Sequence, residues 1–199
     1  MNFIICAEIA AGKDTLASLL PGKHFAFADD IKEVCRLLRR HRLLDAYDLM
    51  DELFDGKEPR DIVQKLREFS KYPLELGKDR RMYQDLGMWA RQYYPDIWVD
   101  SVRRKVNVHN GPSIITDCRF RNEFNAFLDF HSIYVDASEE VRRQRMVQRD
   151  GEVKHSSLGH AAESQVRGLK GLCNVVIENN GTLDELRFKV DYMMFSLTN

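Results

Sequence analysis

The sequence predicts an α/β protein with a parallel five-stranded sheet flanked by helices. Short apolar runs alternate along the chain with segments of helical periodicity, which is typical of a parallel sheet with helices on both faces. The first apolar run, 2–7, is followed directly by a glycine-containing loop and a helical segment. Ligands of such sheets bind at the carboxyl ends of the strands. Functional residues are therefore expected in the loops that follow strands.

Each predicted strand is a short apolar run that ends at polar or turn-forming residues. The strands are 2–7, 23–28, 113–117, 131–136 and 174–178. The predicted helices are 12–20, 29–41, 122–130, 139–149 and a closing helix after Thr182. Thr182 is expected to cap that last helix, because its hydroxyl can accept a backbone N–H of the first turn.

The segment from about 42 to 110 is rich in charge and helix formers and lacks a strong strand pattern. We expect a helical insertion of several short helices there, within one domain that spans 1–199. A lid region is expected over about 138–165, because a strongly basic helix is followed there by a polar stretch.

The composition excludes several classes of partner. The 30 Lys and Arg residues nearly balance the 31 Asp and Glu residues, so no overall field favours nucleic acid or an acidic membrane surface. No apolar run is long enough to predict a membrane span. The four scattered cysteines lack metal-ligand spacing, and a reduced cytoplasm is the expected location.

The segment 7–15, between the first strand and the first helix, carries the features of a phosphate-binding loop. Its backbone N–H groups can bind anionic oxygens, and Lys13 is placed to reach the β and γ phosphates of a nucleotide. Thr15 can donate its hydroxyl to a phosphate, and Asp14 can hold Mg²⁺ through water. The residues expected at the nucleotide are Ala10, Ala11, Gly12, Lys13, Asp14 and Thr15.

Ala7 occupies the position at which the usual loop pattern has its first glycine. If that position needs a positive φ, alanine costs roughly 1 kcal/mol. The alternative interpretation is an ordinary strand, loop and helix in which the Gly12-Lys13 pair occurs by chance.

A second set of candidate residues follows the strand 113–117. Asp117 ends this strand, where a carboxylate that helps to hold Mg²⁺ is expected, and Arg119 and Arg121 can reach a phosphate. The alternative is that Asp117 and Arg119 pair with each other while Asn122 caps the next helix.

Arg142, Arg145 and Arg149 share one face of the predicted helix 139–149, because they are spaced i, i+3 and i+7. Like charges on one face repel unless an anion lies opposite, and guanidinium groups match phosphate oxygens well. The alternative is a solvated basic face. His155 and His160 lack partners for a metal site and are expected in a surface or lid role, where Glu163 could pair with an arginine.

Taken together, the motifs resemble those of bacteriophage-type deoxynucleoside monophosphate kinases, within the P-loop kinase fold. The resemblance runs nearly end to end. Its motifs are 12–15, 27–33, 84–87, 98–100, 116–123, 155–157 with Glu163, and 179–182. It implies phosphorylation of a deoxynucleoside monophosphate to the diphosphate by ATP with Mg²⁺, in the host cytoplasm if the chain is phage-encoded.

The resemblance also implies roles for individual residues. Lys13, Arg119, Arg142 and Arg145 would act in catalysis, and Arg149 would help to bind ATP. Thr15, Asp117 and Asp14 would surround the metal. The acceptor would be bound by Asp29, Lys32, Arg81, Gln84, Arg91, Trp98 and Arg119. For Trp98, as for the neighbouring Trp89, Tyr93 and Tyr94, the alternative is a place in the core.

Two rival functions remain open on the sequence. One is a related kinase with another small phosphorylated acceptor, of the dephospho-coenzyme A or phosphomevalonate type. The other is a degenerate module that binds a nucleotide without turnover, for which Ala7 is the best argument. The sequence leaves the accepted base, the sugar preference and a homodimer undecided.

Overall fold

The computed structural model describes residues 1–73, 80–151 and 161–198. Five strands form one sheet in the order β2-β3-β1-β4-β5, and every pair of neighbours is parallel. The strands are β1 Phe3–Ala7, β2 Lys23–Phe25, β3 Ser113–Cys118, β4 His131–Asp136 and β5 Val175–Glu178. The predicted fold class, a five-stranded parallel sheet flanked by helices, is confirmed.

The central strand β1 lies where the order of the strands reverses direction, which is the switch point of the sheet. After β1 the chain continues to β2 and β3 on one side, and after β3 it crosses to β4 and β5 on the other. Ligands of open parallel sheets bind in the crevice outside the carboxyl ends at such a point. The loop that follows β1 therefore occupies the position from which a bound ligand is most easily reached.

The chain divides into two compact units, residues 1–26 with 109–199 and residues 27–108. The first unit contains the sheet. Within its described part, the helices are α1 Lys13–Leu19, α7 Arg121–Asn125, α8 Glu139–Asp150, α9 Ala161–Gly168 and α10 Leu183–Thr198, with a 3-10 turn at Lys170–Leu172. Helices α2 to α6 belong to the second unit.

The core of the first unit follows from strand alternation. Phe3, Ile5 and Ala7 of β1 point to one face, where they pack with buried residues of α1 and α10 such as Leu16 and Val190. α9 lies against β1 as well. Burial of a side chain of this size stabilises a fold by about 1.5–3 kcal/mol, and this layer fixes the end of β1 from which the loop departs.

The second unit is helical throughout its described part. Its helices are α2 Ala28–Arg39, α3 Leu43–Phe54, α4 Ile62–Ser70, α5 Arg80–Tyr93 and α6 Ile97–Asn107. The predicted insertion was placed at about 42–110, but the unit begins at Phe27. The difference arises because α2 packs against α3, α4 and α5, and a helical pattern alone does not show what a helix packs on.

Two helix predictions need correction. The helix expected over 122–130 is only Arg121–Asn125, because the chain then makes i to i+3 turns in which Phe127 N–H bonds to Phe124 and Phe130 N–H to Phe127. These turns bury Phe127 and Phe130 against each other. Helix α9 was not predicted at all.

The cap predicted at Thr182 is confirmed. The Glu185 N–H donates to Thr182 Oγ1 at 3.3 Å, and the Thr182 N–H donates to Glu185 Oε2 at 2.8 Å, the reciprocal pair of a capping box. Within the described residues, no helix is long and apolar enough to cross a membrane. The predictions for His155, His160 and 156–157 lie outside the described residues, as does the side chain of Glu163.

Candidate active site

The loop after β1 has a backbone shaped by two left-handed residues. Gly12 has φ 100° and ψ 23°, and Ala10 has φ 61°. The Ala11 N–H donates to the Glu8 carbonyl at 3.2 Å, and the Leu16 N–H donates to the Gly12 carbonyl at 3.0 Å, which opens α1. Successive N–H groups in such a conformation form a concave nest that suits an anion.

Ala7 does not carry the strain that the sequence suggested. It is the last residue of β1, pairs with Val135 of β4 and is almost completely buried. Among the described non-glycine residues, positive φ occurs at Ala10, His41 and Asp55. The positive φ that was expected at position 7 occurs at positions 10 and 12 instead. Alanine is therefore compatible with the extended backbone at the end of β1.

Gly12 is fixed by its surroundings as well as by its φ. A Cβ at this position would lie 2.2 Å from Nδ2 of Asn179. That amide is buried and donates to the Ala11 carbonyl at 2.8 Å. Sequence reasoning placed Asn179 only within a family motif, and this supporting contact, 168 residues along the chain, has no local signal.

Lys13 is the first residue of α1, as the motif requires. Its side chain is 22% exposed, whereas that of Asp14 is 83% exposed, and the two form an ion pair. Thr15 is also exposed. Lys13 and Thr15 thus both belong to the first turn of α1, directly after the loop.

Glu8 has an unexpected role in the loop. Its buried carboxylate accepts from Nη2 of Arg167 at 2.6 Å and lies 3.2 Å from Nη2 of Arg142. Arg142 is itself buried and donates from Nε to the Ala137 carbonyl at 3.2 Å. Arg142 was expected at the transferring phosphate with Arg145 and Arg149. In the structure its partner is the carboxylate of Glu8, which corrects that expectation.

Arg145 is the arginine of α8 that reaches the loop. Its Nη1 donates to the Ala11 carbonyl at 3.2 Å, and Nη2 lies 3.5 Å from Oδ1 of Asn179. Burial lowers the pKa of this guanidinium from its ordinary value, but it stays charged because an arginine ionises far above neutral pH. Arg149 is exposed in the last turn of α8.

The carboxyl end of β3 presents Asp117, as predicted. Asp117 is half-buried one residue before the end of the strand. Next to it, the buried Glu123 accepts the backbone N–H groups of Arg119 at 2.8 Å and Phe120 at 3.1 Å. Glu123, not Asn122, therefore organises the start of α7 and the turn that carries Arg119.

Three thiols cluster in the sheet layer. Cys6 of β1 is the register partner of Cys118 of β3, and both are buried. A hydrogen bond with Cys118, with burial, raises the pKa of Cys6, and burial raises the pKa of Cys118. A hydrogen bond with Cys6, with burial, raises the pKa of Cys173. These thiols stay protonated near neutral pH and act as small apolar groups.

The residues predicted for the metal do not form a dense ligand cluster. Within the parts of the chain that the structure describes, no group of three or more His, Cys, Asp and Glu side chains is placed to hold a metal ion. The assignment of Asp14, Thr15 and Asp117 stays a prediction. These three residues would supply only a few of the ligands of the ion. Mg²⁺ often binds in this way, with water and phosphate oxygens as its other ligands.

Of the residues predicted for the acceptor, Arg119 lies in the first unit, and the others lie in the second unit. Arg81, Gln84 and Arg91 share one face of α5, because they are spaced i, i+3 and i+10. Arg81 Nε lies 3.7 Å from Asp85 Oδ2, and Arg91 Nη1 lies 3.4 Å from the Gly87 carbonyl. On α2, Lys32 Nζ lies 3.3 Å from Asp29 Oδ1, and both side chains are half exposed.

Trp98 belongs to the interior of the second unit. It is 1% exposed, and its indole N–H donates to the Gly87 carbonyl at 3.2 Å. A ring in this position has no open face for a base to stack on. Trp98 is therefore removed from the predicted acceptor residues, and the alternative interpretation as a core residue is correct.

No family model matches the chain, and no curated protein matches it. Among solved structures, the chain resembles the crystal structure of TT1252 from Thermus thermophilus, with a TM-score of 0.56, 17% identity, and coverage of 100% of this chain and 98% of that one. A dephospho-CoA kinase from Campylobacter jejuni matches with a TM-score of 0.48 and 13% identity, over 98% of this chain and 96% of that one. At these identities the similarity to TT1252 establishes the fold alone.

Proposed function

We propose that the chain is a kinase that transfers the terminal phosphoryl group of ATP to a small phosphorylated acceptor, and that this acceptor is a deoxynucleoside monophosphate. The observation that carries the proposal is the loop after β1, with left-handed Gly12 held by Asn179 and followed at once by Lys13. The expected setting is the cytoplasm, and the acceptor is a small molecule.

The loop fits the polyphosphate of a nucleotide. The backbone N–H groups of a nest donate to anionic oxygens without any side chain, and the ammonium of Lys13 adds a positive charge beside them. The amide of Asn179 donates to the Ala11 carbonyl and so helps to hold the backbone in this form. A preorganised set of donors stabilises developing charge at little reorganisation cost.

Mg²⁺, when bound, would neutralise charge between the phosphates of ATP. On this proposal Asp117 and Thr15, with Asp14 through water, hold the ion. Asp117 is suited to this task because it ends the strand next to β1 and is half-buried. Glu123 accepts backbone N–H groups of the turn that follows Asp117 and so fixes that turn.

Arg145 is the arginine we assign to the transferring group. Its guanidinium already lies at the Ala11 carbonyl, next to Gly12. Partial burial strengthens its interaction with a phosphate, since the effective dielectric is lower than in water. Arg149 and Arg119 are assigned to the phosphates of ATP and of the acceptor.

For the acceptor we assign the exposed face of α5. Arg81 and Arg91 can bind a monophosphate, and Gln84 between them offers both a donor and an acceptor to a base edge. The pair Asp29 and Lys32 on α2 supplies a carboxylate and an ammonium. The phosphate acceptor needs its negative charge offset more than it needs a general base.

The test is ADP formation that depends on an acceptor. The panel contains the deoxynucleoside monophosphates, the ribonucleoside monophosphates, dephospho-coenzyme A and phosphomevalonate. We expect turnover with at least one deoxynucleoside monophosphate, and we expect Lys13→Ala and Arg145→Ala each to lower it by about 10²-fold or more. Arg143→Ala is the matched control, because Arg143 is on the same helix but pairs with Glu139.

Unchanged rates in both Lys13→Ala and Arg145→Ala would refute this assignment. Turnover restricted to dephospho-coenzyme A or phosphomevalonate would retain the kinase and replace the acceptor. ATP binding without turnover on any acceptor would favour a nucleotide-binding module.

A further inference from the structure

Glu8 is the one carboxylate among the described residues that joins the phosphate loop to two helices of the same unit. Its Oε1 accepts from Nη2 of Arg167 at 2.6 Å and from Nε of the same residue at 3.2 Å. Nη2 of Arg142 lies 3.2 Å from the same oxygen. Arg142 belongs to α8 and Arg167 to α9, so one side chain bridges three elements.

The two arginines differ in what they need from Glu8. The side chain of Arg142 is 5% exposed, so this carboxylate supplies the opposite charge that a buried guanidinium requires. The side chain of Arg167 is 62% exposed, and water can solvate it when the bond opens. Arg142 and Glu8 therefore form a buried pair, and Arg167 is the partner that links Glu8 to α9.

The main chain of Glu8 also forms a hydrogen bond within the loop. The Glu8 carbonyl accepts the Ala11 N–H, so the position of residue 8 sets the turn that precedes Gly12. A carboxylate in a loop of this kind would repel a polyphosphate on its own. The two positive charges of Arg142 and Arg167 exceed the single negative charge of Glu8. The loop can therefore contain this carboxylate without a net negative charge at that place.

We propose that Glu8 is a positioning residue that ties the phosphate loop to α8 and α9, and thereby holds the loop in the conformation that binds ATP. The link to ATP rests on the proposed function, whereas the link between Glu8 and α9 does not. Glu8 acts through its two arginines and touches no reacting atom.

The first test is amide hydrogen exchange measured by mass spectrometry on the protein without nucleotide. Glu8→Gln keeps the shape of the side chain and removes its charge. We expect exchange in α9 and in residues 8–12 to accelerate about tenfold or more. Glu139→Gln is the matched control, because it removes an exposed carboxylate that pairs with Arg143, and it should leave both segments unchanged.

Arg167→Gln is the second variant, and it keeps the proposal testable if Glu8→Gln fails to fold. It preserves the buried pair of Glu8 and Arg142 and removes only the link to α9. We expect faster exchange in α9 with the fold intact. Exchange in α9 at the parent rate in Arg167→Gln, or no difference between Glu8→Gln and Glu139→Gln, would overturn the proposal.

The kinetic test separates positioning from general destabilisation. Glu8→Gln should raise KM for ATP about tenfold while KM for the acceptor and kcat change little, and Glu8→Asp should restore part of the loss because it restores the charge. An equal loss in kcat, with KM for ATP unchanged, would contradict the positioning role. If even the parent shows no turnover, the proposed function fails, and the exchange experiment still decides the role of Glu8.

Discussion

At the scale of single residues, the shape of the loop after β1 depends on two positions with positive φ, Gly12 and Ala10. Gly12 combines a positive φ with the contact of Asn179, and both features exclude a side chain. Ala10 has a positive φ but carries a Cβ, which makes it the strained residue of the loop. The strain is local, so it can be tested by one substitution.

We predict that Ala10→Gly raises the free energy of unfolding by about 1 kcal/mol. A left-handed residue with a Cβ costs roughly 1–2 kcal/mol, and the larger chain entropy of glycine cancels part of the gain. Urea-induced unfolding measures the change. Ala11→Gly is the matched control: Ala11 is buried without a positive φ, and its replacement should be destabilising. Equal losses at both positions would show that Ala10 is not strained.

Single residues also show which features of this loop could be predicted from neighbouring residues in the sequence. The strand, loop and helix order and the Gly12-Lys13 pair predicted the position of the loop after β1 and of the helix that follows it, whereas phosphate binding by this loop stays a prediction. The partners of that loop were not predicted, because Asn179 and Arg167 reach it from distant parts of the chain. The spacing of Arg142 and Arg145 predicted a phosphate opposite both, but Arg142 is paired with Glu8, and a phosphate opposite Arg145 stays a prediction.

At the scale of elements, neighbouring strands place Cys6 and Cys118 side by side in the sheet. In the folded protein, the hydrogen bond with Cys118 and burial raise the pKa of Cys6, and burial raises the pKa of Cys118. A raised pKa means that the native state keeps its protons while the unfolded chain loses them. Stability from these thiols is therefore complete below their unfolded pKa, about 8.5, and is lost as the pH rises above it.

We predict that the free energy of unfolding falls above about pH 8.5, by about 1.4 kcal/mol per pH unit for each thiol that ionises only in the unfolded chain. Urea unfolding between pH 7 and pH 10, under reducing conditions, measures the slope. Cys118→Ala should make the slope smaller above pH 8.5 while leaving the plateau near pH 7 flat. A slope identical to that of the parent would show that this thiol ionises equally in both states.

The element scale explains which boundaries the sequence could predict. Strands and their order follow from apolar runs, and β4, for example, was predicted over its full length. The end of α7 depends on how Phe127 and Phe130 pack in the i to i+3 turns. No periodicity signals such a change from helix to turn.

At the scale of the whole molecule, the sheet-containing unit carries the proposed nucleotide site and Arg119, and the helical unit carries the other proposed acceptor residues. Alternation of strands and helices predicted the first unit, whereas the start of the second unit depends on the packing of α2. Trp98 illustrates the same limit, since an aromatic stripe on a helix has the same pattern in a core and at a ligand. Only its burial and its bond to Gly87 separate the two cases.

The central claim is that the loop after β1 binds the phosphates of a nucleotide, and a titration of ¹⁵N-labelled protein with ADP and Mg²⁺ tests it most directly. We expect the largest amide shift changes in residues 8–15. We also expect Lys13→Ala to weaken binding about tenfold or more, whereas replacement of Lys23, an exposed lysine of β2, by alanine should leave the affinity unchanged. The absence of shift changes in this loop, or equal affinity in Lys13→Ala and the parent, would show that the loop does not bind the nucleotide.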